Sequence, residues 1–342
     1  MRPAMHWKVW VLAPLLLLLL WVAAPEADNL LPDQTASRQS FKRTAIPFPE
    51  DNPYSLAKAE LGRLLFFDPI LSGSQTRSCA HCHNPGLSWG DGLPRAIGEL
   101  PLPVRSPTLL DVAWVPQFGW DGKFRNLEAV TFGPITGKGN MNLPESDVLI
   151  SRLSAIPGYV ESFKASFGSE EVTRRNIELA LATYQRTIVA TEAPFDRWVN
   201  GDETAIDAAA KRGFDLFVGK ARCAECHNGP VFTDGSFHDI GTAEGDDIGR
   251  GRLFPTSVKL RYAFKTPTLR DVARRAPYMH DGSVPTLEAV IALYDRGGIA
   301  RPSRSDRIAP LGLSEKEKSD LIAFLRTLNG APELVPVPVL PR

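Results

Sequence analysis

The residues best suited to chemistry in this chain are Cys79-Ala80-His81-Cys82-His83 and Cys223-Ala224-Glu225-Cys226-His227. Each reads Cys-x-x-Cys-His. In this pattern two thiols form thioethers to a porphyrin, and the histidine that follows faces the iron as its proximal ligand. The four cysteines are the only ones in the chain. A zinc ribbon would place its second pair about 15–20 residues on, whereas 140 residues separate Cys82 from Cys223. A thioredoxin-like dithiol needs neither the histidine nor a second copy. The motifs therefore predict two covalently bound haem c groups, held by Cys79, Cys82 and His83 and by Cys223, Cys226 and His227.

The occupant of each iron's sixth position decides between electron transfer and substrate chemistry, and an internal repeat bears on it. Residues 105–130 (RSPTLLDVAWVPQFGWDGKFRNLEAV) match residues 265–290 (KTPTLRDVARRAPYMHDGSVPTLEAV) at a constant offset of 160, with 12 of 26 positions identical. A weaker echo precedes each motif, with Gly62, Leu65 and Phe66 against Gly213, Leu216 and Phe217. Extending the offset pairs Pro134 with Tyr294. Tyrosine can ligate ferric iron, and proline has no side-chain ligand atom. This pairing predicts an open first iron and a closed second one. Met141 is a rival ligand for the first iron. Met279, His238 and His280 are rivals for the second, although the two histidines are expected to hydrogen-bond a propionate or backbone instead. No histidine lies between His83 and His227.

Length and composition bound the rest. The chain has 342 residues, room for about two domains. Lys+Arg and Asp+Glu are both 39, so no basic excess points to nucleic acid. Arg2 and Lys8 precede an apolar run from Val9 to Ala24, which reads as a secretory signal over residues 1–27. Sixteen residues are short for a spanning helix, which needs about 20. Membrane attachment follows only if this segment is retained. In an oxidising compartment four free cysteines would be expected to pair, and haem attachment explains them better.

The elements that must position the motifs are helical. Ser55–Phe67 is expected to be a helix with Leu56, Leu61, Leu64 and Leu65 on its apolar face, stopped by Asp68-Pro69. Residues 144–190 read as helical, with Ile177, Leu181, Tyr184 and Ile188 on one face and Pro194 beyond. A further helix is expected over Ala205–Phe217. Ser314-Glu315-Lys316-Glu317 is a capping box opening a last helix that Gly330 ends. Residues 28–50 read as an extended arm, 84–106 and 228–266 as loops, and the Pro-rich tail 331–342 as non-helical. No convincing strand pattern appears. The fold class is all-α and loop-rich, with two related haem domains in tandem divided near Glu192–Glu203.

These motifs resemble the bacterial di-haem cytochrome c peroxidase superfamily, and within it the MauG-like branch. The resemblance spans Leu61 to Leu328. It rests on the two Cys-x-x-Cys-His motifs, Ser106-Pro107-Thr108-Leu109, Trp120-Asp121-Gly122, Gly133-Pro134-Ile135, Phe237-His238-Asp239-Ile240-Gly241, Pro267-Thr268-Leu269-Arg270 and Pro277-Tyr278-Met279-His280-Asp281-Gly282. It implies two cytochrome c-like domains, a peroxidatic one over 45–195 and an electron-transfer one over 203–330. Tyr294, fifteen residues after Met279, stands where the MauG-like branch has a tyrosine ligand. Trp120 matches a tryptophan relay between the haems. A calcium ion between the domains is also implied, partly held by backbone carbonyls near Arg275 and Pro277.

There are departures. Asn140 stands where the family has a glutamate six residues beyond the distal proline. An amide cannot shuttle a proton near neutral pH, which argues against fast peroxide turnover; Glu145 is better placed to start a helix than to substitute. Arg105 replaces a calcium-binding asparagine and weighs against that ion.

The expected function is that of a periplasmic oxidoreductase. Hydrogen peroxide would react at the His83 haem, with Trp120, Pro134 and Asn140 as the catalytic set. A redox partner or a protein substrate would be oxidised through the His227/Tyr294 haem. The alternative is a di-haem electron-transfer cytochrome with both irons six-coordinate.

Overall fold

The computed structural model describes Met1 and residues 37–342. The expected leader at 1–27 and the start of the arm lie outside the described residues. Ten helices can be followed: α1 Leu56–Phe67, α2 Cys79–Cys82, α3 Leu127–Thr136, α4 Ser146–Ser154, α5 Pro157–Phe167, α6 Arg174–Arg186, α7 Pro194–Val199, α8 Ala208–Val218, α9 Leu287–Arg296 and α10 Glu315–Arg326. Short 3₁₀ turns and irregular chain join them. An antiparallel pair of two-residue strands, β1 Phe237–His238 and β2 Phe264–Lys265, adds a small sheet that the sequence did not signal. Two residues are too few to show a period-2 pattern. No helix of the described residues is long and apolar enough to cross a membrane.

Local chemistry sets the helix ends. The Ser55 side chain accepts from the Lys58 N–H and opens α1. Asp68 accepts from the Ile70 N–H at 2.8 Å and starts a separate turn at Pro69. Ser314 and Glu317 form the expected capping box of α10. The 144–190 stretch is three helices rather than one, because Pro157 opens α5 and Gly168 closes it at φ 75°. Ile188 therefore lies past the end of α6. Leu56 is 66% exposed, off the apolar face expected for it. Helix α10 ends at Arg326, before Gly330. Gly330 serves a close approach instead, since a Cβ there would collide with Thr191.

The core forms two apolar clusters. The first gathers Leu61, Leu65, Phe66, Ile177 and Leu181 among others. The second gathers Phe195, Trp198, Phe214, Phe217 and Phe324. Each is built on one helix crossing, α1 on α6 and α8 on α10, and the same contact recurs in both. A Cβ on Gly62 would strike the Ala180 carbonyl and the Tyr184 Cβ; on Gly213 it would strike the Asp320 carbonyl and the Phe324 Cβ. Gly213→Ala is therefore expected to cost about 1–3 kcal/mol as overpacking, despite alanine's better helix propensity. Denaturant melts of the intact protein check this; an unchanged midpoint would refute the close crossing.

Other contacts repeat in register. Asp111 donates its N–H to the Ile188 carbonyl and accepts from the Ala190 N–H. Asp271 does the same with Leu328 and Gly330. Glu128 pairs with Arg186 at 2.7 Å, and Glu288 with Arg326 at 3.6 Å. Phe118 bridges to Phe124 as Tyr278 does to Val284. Where the copies meet, the exchange is reciprocal: Lys265 N–H donates to the Trp120 carbonyl and Arg105 N–H to the His280 carbonyl, both at 2.8 Å. These four residues are two pairs at offset 160.

The chain ends cross over. Phe41 belongs to the second cluster, and Arg43 donates to the Ala190 and Thr191 carbonyls while pairing with Asp196 at 2.8 Å. At the other end, Val335 packs on the first cluster and Pro341 lies against Gly158.

Candidate functional site

Both motifs hold an imidazole in the same way. His83 Nδ1 faces the Trp89 carbonyl at 3.3 Å, and His227 Nδ1 faces the Phe232 carbonyl at 2.9 Å. A carbonyl only accepts, so Nδ1 carries the proton and Nε2 keeps its lone pair. Burial pushes both histidines down to about 4, which keeps the rings neutral. Burial first, and the neighbouring motif thiol second, pushes Cys79 and Cys223 up to about 12. The four thiols are unpaired. Ser106 Oγ donates to the Cys82 carbonyl at 2.7 Å and fixes the first motif's end.

One continuous cavity of about 930 Å³ runs past both motifs. That is at the upper end for a small-molecule site. Its walls include Phe66, Leu109, Leu127 and Leu181 near the first motif, and Phe217, Leu269, Leu287 and Leu321 near the second. Apolar walls, a neutral imidazole with a free Nε2 and two unpaired thiols per motif are the donor set that a covalent haem c needs. The residues present fit that group at both motifs.

Pro134 and Tyr294 are each the eighth residue of their helix, α3 and α9, and both line the cavity. Burial, and then the Cys223 and Cys226 thiols, raise the Tyr294 phenol above its usual range. Asn140 and Met141 lie on the cavity wall just after α3, where Met141 N–H donates to the Pro134 carbonyl at 3.1 Å. Met279 is on the wall as well. Glu145 caps the start of α4, and its carboxylate makes no cap hydrogen bond.

Trp120 lines the cavity where the two copies meet. Its Nε1–H donates to the Arg105 carbonyl at 3.0 Å, and its ring meets the His280 ring edge-on at 6.4 Å. His280 bonds Asp247 at 2.6 Å, and His238 bonds Asp234 at 2.9 Å. Each of these histidines has an aspartate as its side-chain partner. The Asp234 hydrogen bond raises His238 to about 9.

The residues at the implied calcium position do not suit that ion. Calcium takes oxygen ligands. Here Arg105 and Arg275 bring two guanidinium groups, and Arg275 donates to the Thr268 carbonyl at 2.6 Å. Burial, and then Arg105, lower Arg275 to about 10. Burial, and then Arg275, lower Lys265 to about 8. Among the described residues, Cys226, Asp234 and His238 make the one cluster with metal-ligand spacing, and it sits on the second motif itself.

Comparison with known proteins bears directly on this geometry. Residues 56–204 match the family model for di-haem cytochrome c peroxidase. The methylamine utilization protein MauG of Methylorubrum extorquens is 51% identical over 324 residues, covering 93% of this chain and 92% of that protein. The chain belongs to the di-haem cytochrome c peroxidase family. The cytochrome c551 peroxidase of Nitrosomonas europaea, another relative, is 34% identical over 86% of each chain. Among solved structures, a MauG-like protein associated with microbial copper homeostasis superposes with a TM-score of 0.78 at 30% identity, covering 84% of this chain and 93% of its own. Family membership makes this chain a peroxidase-type oxidoreductase, with haem c as its cofactor, on a mostly helical, loop-rich fold.

Two residues on the wall of this di-haem family site carry no motif of their own, Gln185 and Lys265. Lys265 opens the second copy of the repeat, and its nearness to the Arg275 guanidinium shows only in the fold. Gln185 sits on an otherwise apolar helix face, and only its helix partner shows that it turns inward.

Proposed function

We propose that this chain uses hydrogen peroxide at an open iron in its first half and passes the oxidising equivalents to its second half. The observation that carries this is the equivalence of Pro134 and Tyr294 on α3 and α9, at the same turn of matching helices. In this reading each half is a cytochrome c-like domain with one haem. Cys79, Cys82 and His83 hold the first; Cys223, Cys226, His227 and Tyr294 hold the second. When bound, haem c supplies an iron that takes a small oxidant at a free sixth position and stores oxidising equivalents.

The chain's own residues do the rest. Pro134 leaves a ligand position unfilled. Asn140 offers an amide where proton transfer would want a carboxylate, so turnover is slow. Trp120, held by the Arg105 carbonyl between the halves, relays electrons. The oxidised partner is a protein donor or a protein substrate. The 51% identical relative named for methylamine utilization supports a partner of that system. The leader over 1–27 supports a periplasmic site of action. A calcium ion is not part of this reading, given Arg105 and Arg275.

The ferric spectrum of the purified protein tests the reading. One high-spin and one low-spin haem are expected. Two low-spin haems would instead favour the electron carrier, with the cavity-lining Met141 as the first iron's ligand.

A further inference from the structure

Because the two halves repeat a set of contacts in register, the matched places where they differ in polarity mark what one site does and the other does not. The ion pairs Glu128–Arg186 and Glu288–Arg326 put the last turns of α6 and α10 in the same relation to α3 and α9. The Asp111–Ala190 and Asp271–Gly330 bonds continue that register at an offset of 140 between α6 and α10. In this register Leu181 matches Leu321, and both line the cavity. Gln185 then matches Leu325, and both of these line the cavity as well. On the facing helix, Thr131 matches Ile291.

The two polar members behave differently. Thr131 Oγ1 donates to its own helix at the Leu127 carbonyl, 3.0 Å away, and so is spent. The Gln185 side chain has no hydrogen-bond partner among the described residues, although the residue is only 7% exposed. The Gln185 amide is not sealed off but stays reachable from the cavity that it lines, so it is free to bond what enters there, whereas leucine does the packing work in the other half. Arg186, next in the chain, is locked to Glu128, one turn before Thr131. This fixes the end of α6 against the helix that carries Pro134.

We propose that the Gln185 carboxamide is a substrate-positioning group of the first site, donating a hydrogen bond to the oxidant and accepting one from its O–H. Asn140 supplies a second amide to the lining of the same cavity, also with no side-chain partner among the described residues. Two amides align a peroxide by hydrogen bonding without carrying its proton, which matches the absence of a distal carboxylate at residue 140. The assignment rests on the first iron being open.

The test compares the intact holoprotein with Gln185→Leu, which copies the other half, and Gln185→Met, which keeps the side chain's length and removes its hydrogen bonds. Fluoride binding to the ferric protein probes the donor, carbon monoxide binding to the ferrous protein probes access alone, and stopped-flow mixing with hydrogen peroxide probes the reaction. Loss of one hydrogen bond to a bound anion should lower fluoride affinity and the bimolecular peroxide rate about tenfold in both variants, with carbon monoxide binding unchanged. Fluoride affinity and peroxide rate within about twofold of the parent, in whichever variant folds, would overturn the assignment. If the parent itself binds neither fluoride nor carbon monoxide, the open-site reading fails first and the role of Gln185 falls with it.

Discussion

Tyr294→Phe is expected to retain both covalent haems yet change the ferric spectrum of one of them. The thioether-forming cysteines and His227 are untouched, and a phenylalanine ring fills the cavity wall almost as tyrosine does. Only the phenol oxygen is lost. If that oxygen is a ligand, its removal opens the second sixth position and adds a high-spin component. It also raises that haem's reduction potential, by something on the order of 0.1 V within the ~0.8 V that axial ligation spans. Peroxide-driven oxidation of a partner should then fall sharply, because the second site no longer holds oxidising equivalents at a low potential. A redox titration followed by visible spectroscopy reads both effects. An unchanged spectrum removes Tyr294 from the ligand set.

The Trp120→Phe variant addresses the midpoint rather than either end. Trp120 touches both halves through the Arg105 carbonyl, the Lys265 N–H and the edge of His280. Phenylalanine keeps much of the packing and the backbone bonds, but it has no N–H and is much harder to oxidise. Both haem spectra should survive. The rate at which peroxide added at one site changes the spectrum of the other should drop at least tenfold, about 1.4 kcal/mol of barrier. Rapid mixing with peroxide, followed at wavelengths that separate the two haems, checks this. An undiminished rate would show that electrons cross by another route.

Much of this molecule was legible because it is written twice. The block around Pro107 and Pro267 repeats turn and cap residues that the backbone itself demands: Asp111 and Asp271 both adopt φ near 55–60°, and Asn126 and Thr286 both cap a helix. Such positions tolerate few residue types, so the two copies stayed alike. The helices α6 and α10 perform the same packing with little shared sequence, because a buried face asks only for apolar volume and shape. At an offset of 140 the shared Leu, Arg and Thr residues are too few to stand out. The small strands and the inward turn of Gln185 were hidden because each depends on a partner far along the chain, whereas the split of 144–190 is written locally in Pro157 and Gly168.

The crossing of the chain ends has a consequence for how this protein can be built. Phe41, near the start, completes the apolar cluster of the later half, and Val335, near the end, covers that of the earlier half. A ribosome that has finished the first motif has not yet made the residues that close over its helices. Cutting the gene at the midpoint would leave each product without its cover and with a foreign one attached. To study one haem in isolation, a fragment would have to be circularly rearranged so that Phe41 and Val335 exchange places in the genetic order.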